Sequence, residues 1–102
     1  METLSEIVPD SNNHQHVQEV TIVNRLGLHA RAAARLVQLA QRFSAEVELE
    51  KDGEAADAKS VLSLLTLACP LGTRVILRTK GPDAAPALEA LTELIENKFG
   101  EE

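Results

Sequence analysis

The side chains whose types and spacing permit chemistry gather around one histidine. His29 follows Gly27-Leu28 and opens the alanine-rich run Ala30-Arg31-Ala32-Ala33-Ala34-Arg35. A residue at such a loop-to-helix junction lies beside backbone N–H groups that have no partner within the helix, and those donors, with the helix dipole, favour an anion. The same positive end disfavours an imidazolium. His29 is therefore expected to be neutral, with a ring lone pair available for nucleophilic attack. Arg31, two residues on, can bring a guanidinium to the same oxygens and offset charge on a phosphoryl group in transfer. The bland alternative is that His29 caps a helix and the arginines solubilise its outer face, and spacing alone does not separate the two.

Residues 20–45 hold no acidic side chain but contain Arg25, Arg31, Arg35 and Arg42. The spacing i, i+4, i+7, i+11 of Arg31, Arg35, Gln38 and Arg42 puts them on one helix face, opposite Leu36 and Val37, as a basic stripe. His14 and His16 form an H-x-H pair, but nothing nearby completes a coordination shell, so no metal site is expected. Cys69 is the only cysteine, which excludes an internal disulfide and a Cys-ligated metal, and it reads as a small buried apolar group. No phosphate-binding glycine loop, kinase signature or Ser-His-Asp arrangement is present, and no cofactor is expected. Any phosphate must then arrive from one protein and leave to another.

The elements that would position His29 follow from periodicity. Residues 1–16 are polar and aperiodic and read as a flexible N-terminal arm, with the folded domain spanning 17–102. From Val17 to Asn24 a β-rich alternation predicts a strand. Ala33, Leu36, Val37 and Ala40 follow the i, i+3, i+4, i+7 pattern of a helix from about Ala30 to Arg42. Val47 and Leu49 alternate with glutamates, and Asp52-Gly53 then signals a tight hairpin turn into a short edge strand, Glu54 to Asp57. Ser60 is suited to cap a short helix beginning at Val61 and stopped by Cys69-Pro70. Thr73 to Thr79 reads as a fourth strand. A last helix carries Asp83 as its cap and Leu88, Leu91, Leu94 and Ile95 as its apolar stripe. The order βαββαβα, patterned on one side, predicts an α+β fold in which a four-stranded antiparallel sheet is covered on one face by three helices.

Composition sets the outer limits. The 102 residues fit one domain; 44% are hydrophobic and 25% charged, with Phe43 and Phe99 the only aromatics. A net charge of −6 repels nucleic acid and anionic lipid, so neither is an expected partner. No signal peptide or membrane span is apparent, and the single cysteine suits a reducing compartment, so a cytoplasmic protein without membrane insertion is expected.

The segment Asn24-Arg25-Leu26-Gly27-Leu28-His29-Ala30-Arg31-Ala32-Ala33 resembles the phosphohistidine signature of the HPr family, the histidine-containing phosphocarriers of the bacterial phosphotransferase system. Lys59-Ser60-Val61-Leu62 is similar to that family's regulatory serine segment, and Leu71-Gly72-Thr73 to its turn into the last strand. The resemblance implies an open-faced β-sandwich and a monomer that is not an enzyme. It further implies that His29 takes phosphate on its pros nitrogen from enzyme I and passes it to EIIA domains, with Arg31 assisting. Arg35 and Arg42 would contribute to docking on enzyme I. By the same resemblance Ser60 is a target of HPr kinase/phosphorylase, and Val61, Leu62 and Leu65 form an apolar edge that faces partners. One position departs: Ala32 stands where the family usually has proline, which keeps the helix but restores an N–H. Two other readings remain open, a nitrogen-branch HPr-like regulator and a Ser60-switched interaction module in which His29 is idle.

Overall fold

Alternation along the first strand decides which way the sheet faces. In β1 (Gln15–Thr21) Val20 is buried, as is Ile22 just beyond it, whereas Val17 is half exposed on the opposite face. The computed structural model describes residues 15–101. Chain order continues with α1 (Ala30–Ala40), β2 (Glu46–Lys51), β3 (Glu54–Asp57), α2 (Val61–Leu65), β4 (Arg74–Lys80) and α3 (Ala84–Glu96), closing in a 3₁₀ turn, Lys98–Gly100. The sheet order is β1-β4-β2-β3 with every neighbouring pair antiparallel. This is the expected βαββαβα arrangement of an α+β open-faced sandwich.

β1 starts two residues earlier than its apolar pattern indicates. Gln15 pairs with Lys80 and His16 with Thr79, because ladder hydrogen bonds need only backbone and not an apolar side chain. His16 is thus an exposed strand residue, while His14 lies outside the described residues. The hairpin between β2 and β3 turns at Asp52 and Gly53 with φ of 51° and 85°, the positive values that this dipeptide tolerates best. Pairing only with β2, β3 is an edge strand.

Ala33, Leu36, Val37 and Ala40 of α1 are buried with Val47 and Leu49 of β2, Val75 and Leu77 of β4, and Leu91 and Ile95 of α3 in one core. The other sheet face is open and polar, with Arg78 Nη1 donating to Glu50 Oε1 at 2.6 Å. Three sequence expectations shift. α1 ends at Ala40, so Arg42 lies past the helix, in the turn closed by its N–H to Leu39 O. On α3 the fully buried stripe is Ala84, Ala87, Leu91 and Ile95, with Leu88 and Leu94 only partly covered, because small alanines let the start of the helix approach the sheet closely. Asp83 does not cap α3 with its side chain. Its carboxylate accepts instead from Ser44 N and Ala45 N, each at 2.8 Å, and clamps the α1–β2 loop to the start of α3. Those backbone donors, Ser44 first, hold its carboxyl below the ordinary aspartate range.

Candidate functional site

The loop between β1 and α1 delivers His29, and its path is set by Gly27. That glycine has φ +70°, and a Cβ placed on it would lie 2.6 Å from Cys69 O and 2.8 Å from Pro70 Cα. No other residue permits both that backbone conformation and that approach. The contact lets Leu28 N donate to Cys69 O at 2.8 Å, so the loop is seated on the segment that leaves α2. Cys69 itself is a free, buried thiol, pushed up by burial, in keeping with an apolar role.

His29 is the N-cap of α1 in extended conformation, and its side chain makes no capping hydrogen bond. The first ladder bond runs from Ala33 N to His29 O at 2.8 Å. The amides of Ala30, Arg31 and Ala32 therefore find no carbonyl among the described residues, and alanine at position 32 contributes one of these three donors. The imidazole is 27% exposed, so it is neither sealed in nor fully in solvent. Its Nε2 lies 2.5 Å from Glu101 Oε2. Glu101 Oε1 accepts from Asn24 Nδ2 at 3.0 Å, and the same amide donates to Gly27 O at 2.7 Å. The Asn24 bond, and after it the His29 contact, keep the Glu101 carboxyl below the usual glutamate range.

Arg31 is exposed, whereas Arg35 is not the free stripe residue that its spacing indicates. Its Nη1 donates to Phe99 O at 2.5 Å, anchoring the turn that presents Glu101. Arg25, Leu26, Arg31, Arg35, Gly100 and Glu101 line a cavity of about 290 Å³. With a water occupying about 30 Å³ of liquid, a tetrahedral oxyanion fits there. A larger cavity of about 470 Å³, between β1 and α3, is edged by Glu89, Glu93 and Glu96, a charge that repels phosphate.

Ser60 caps α2 as expected, its Oγ accepting from Ser63 N at 3.2 Å. Of the three apolar residues assigned to an outer edge, Leu62 is 79% and Leu65 37% exposed, but Val61 packs partly against the core. Leu26 and Leu71 are exposed as well. Sequence reasoning missed Asn24, Glu101 and Lys51. Asn24 did carry a signal, being a polar residue in phase with inward-facing Val20 and Ile22. Glu101 had none, since its partner lies 72 residues away. Lys51 is more than a hairpin residue: its Nζ donates to Leu67 O and Ala68 O, carbonyls at the exit of α2. Among the described residues no group of three or more His, Cys, Asp or Glu side chains is placed to hold a metal ion, and no helix is long and apolar enough to cross a membrane.

The solved structure of HPr-C-His from Thermoanaerobacter tengcongensis superposes with a TM-score of 0.82 at 42% identity, covering 85% of this chain and 98% of that one. Fold and site thus define the class, an open-faced β-sandwich of the HPr type. The phosphocarrier protein HPr of Cupriavidus necator is 48% identical over 84 residues, 82% of this chain and 94% of that protein. The phosphocarrier protein NPr of Shewanella violacea is 46% identical over 82% of this chain and 92% of its own length. The family model described as the PTS HPr component phosphorylation site matches residues 17–97, and the chain belongs to that family.

Proposed function

We propose that the protein, acting as a single chain in the cytoplasm, is a phosphocarrier of the phosphoenolpyruvate-dependent phosphotransferase system and turns over no small-molecule substrate. His29 is the residue that accepts and gives up phosphate, with enzyme I as donor and EIIA domains as acceptors. The single observation that carries this reading is the setting of His29. A partly exposed imidazole sits at a helix N-terminus whose first three amides find no carbonyl among the described residues, next to an arginine-lined cavity. The lone pair of Nδ1, the pros nitrogen, forms the N–P bond while the bond between phosphorus and its donor on enzyme I breaks, the electron pair leaving on the donor. Arg31 and the amides offset charge on the phosphoryl oxygens. A helix N-terminus stabilises an anion by up to about 2 kcal/mol in a partly buried setting, and a guanidinium adds charge-assisted hydrogen bonds.

Ser60, Leu62 and Leu65 lie on one short helix that packs against α1. Phosphorylation of Ser60 by an HPr kinase/phosphorylase is compatible with the fold, because a helix N-terminus tolerates a dianion. Its effect falls on docking, since the charge is placed beside the exposed Leu62. The likeness to an NPr favours one second reading, a nitrogen-branch regulator fed by a paralogous enzyme I.

The test is incubation with enzyme I and labelled phosphoenolpyruvate, comparing the natural protein with His29→Ala and Ser60→Ala. Acid-labile, base-stable label that disappears only in His29→Ala supports the relay. Label that persists in His29→Ala overturns it. Chasing the label into carbon-branch or nitrogen-branch EIIA domains distinguishes the two branches.

A further inference from the structure

We infer that Glu101 is a positioning residue for the phosphoacceptor: its carboxylate holds the proton of His29 Nε2 and thereby reserves Nδ1 for phosphorus. This rests on the reading of His29 as the phosphate acceptor. An ionised carboxylate can only accept hydrogen bonds, so a ring nitrogen 2.5 Å from Oε2 must carry a hydrogen. A neutral imidazole has one N–H, and fixing it at Nε2 leaves the lone pair at Nδ1, which makes no hydrogen bond among the described residues.

The carboxylate is not the tip of a swinging chain end. Phe99 is buried in the core, Arg35 donates to its carbonyl, and Glu101 N donates to Lys98 O at 2.9 Å. Asn24 Nδ2, itself tied to Gly27 O, fixes the other carboxylate oxygen. The acceptor for Nε2–H is thus anchored from two directions, by the core and by the loop that carries His29. Glu101 also stays ionised, since the Asn24 bond and then the His29 contact hold its carboxyl below the usual range.

The contact strengthens during transfer. As the N–P bond forms, positive charge grows on the ring and is shared with Nε2–H, which faces the carboxylate directly. The proton remains between Nε2 and Glu101, and no other group gains or loses one. The same carboxylate repels incoming phosphoryl oxygens. That repulsion is opposed by Arg25, Arg31 and Arg35, which line the same cavity as Glu101. Three guanidinium groups against one carboxylate leave that cavity net positive, so the net effect of Glu101, in contact with the ring itself, is to assist.

Two readouts test this, on the full chain. In ¹⁵N-labelled natural protein, the His29 Nε2–H proton is expected as a downfield, exchange-protected resonance, lost in Glu101→Ala and kept in Glu101→Gln, whose amide oxygen still accepts. Phosphate uptake from phosphorylated enzyme I is expected to slow about tenfold in Glu101→Ala, the scale of one charge-assisted hydrogen bond, and to a lesser degree in Glu101→Gln. A urea midpoint for each variant separates loss of folding from loss of positioning. An unchanged Nε2–H resonance in Glu101→Ala, or uptake as fast as or faster than the natural protein, overturns the inference. If the natural protein takes up no phosphate, the phosphocarrier reading fails instead, and the resonance still decides the Glu101 contact without any partner.

Discussion

Replacing Gly27 with alanine isolates the packing that seats the His29 loop. Two costs add. Holding an L-residue in the left-handed region that φ +70° demands costs roughly 1–2 kcal/mol. The new Cβ would also meet Cys69 O at 2.6 Å and Pro70 Cα at 2.8 Å, both backbone atoms with no flexible end to move aside. Forcing such contacts apart costs about 1–3 kcal/mol, and weakening the bond from Leu28 N to Cys69 O adds about 1 kcal/mol. The expected loss is about 3 kcal/mol or more. Gly53→Ala is the internal control, because Gly53 has φ +85° yet no atom within 4 Å of its would-be Cβ, so it bears only the same conformational cost of roughly 1–2 kcal/mol. With a slope of about 1 kcal/mol per molar urea for a small domain, the two variants should differ in unfolding midpoint by roughly 2 M. Equal midpoints would mean that the Cys69–Pro70 segment yields freely and does not brace the loop. Phosphate uptake should fall in Gly27→Ala and not in Gly53→Ala when both are measured where they are folded.

Asp83 gives a prediction in pH. Its carboxyl is lowered in the folded protein by the Ser44 and Ala45 amides, so between the folded and ordinary values the unfolded chain binds more protons and stability rises with pH. The contribution is complete above the ordinary aspartate range and is lost as pH falls through the lowered value; Asp83→Asn should flatten that acid limb in urea titrations from neutral to acid pH. The two outer arginines should separate in Arg→Glu variants. Arg42→Glu is expected to weaken salt-sensitive binding to enzyme I with a stability change within about 0.5 kcal/mol. Arg35→Glu loses its bond to Phe99 O and should cost about 1.5–3 kcal/mol as well; equal urea midpoints for the two would contradict the anchoring role.

What could be read in the sequence was what short-range physics controls. Asp52-Gly53 announced its turn because few dipeptides accept two positive φ angles. The α1 stripe of Ala33, Leu36, Val37 and Ala40 announced its buried face because helix geometry puts those positions together. Ser60 announced its cap through the reach of one hydroxyl. Asp83 was misassigned because a carboxylate before a helix has the same local signature whether it caps that helix or clamps a loop 39 residues back. Arg35 and Glu101 were hidden for the same reason: each acts across more than 60 residues, on a carbonyl or a ring nitrogen that only the folded chain brings near. The candidate site was thus legible as a nucleophile and a cation, and illegible as a set of supports.

The bond from Leu28 to Cys69 is one rung of a short splint. Gly72 N donates to Ile22 O and Ile22 N to Thr73 O, so the stretch leading into the imidazole and the stretch leaving α2 are stitched together on both sides of the glycine contact. Neither stretch can loosen by itself. A load placed on the exposed leucines from Leu62 to Leu71 is therefore carried, through one continuous run of backbone bonds, into the loop that bears the imidazole.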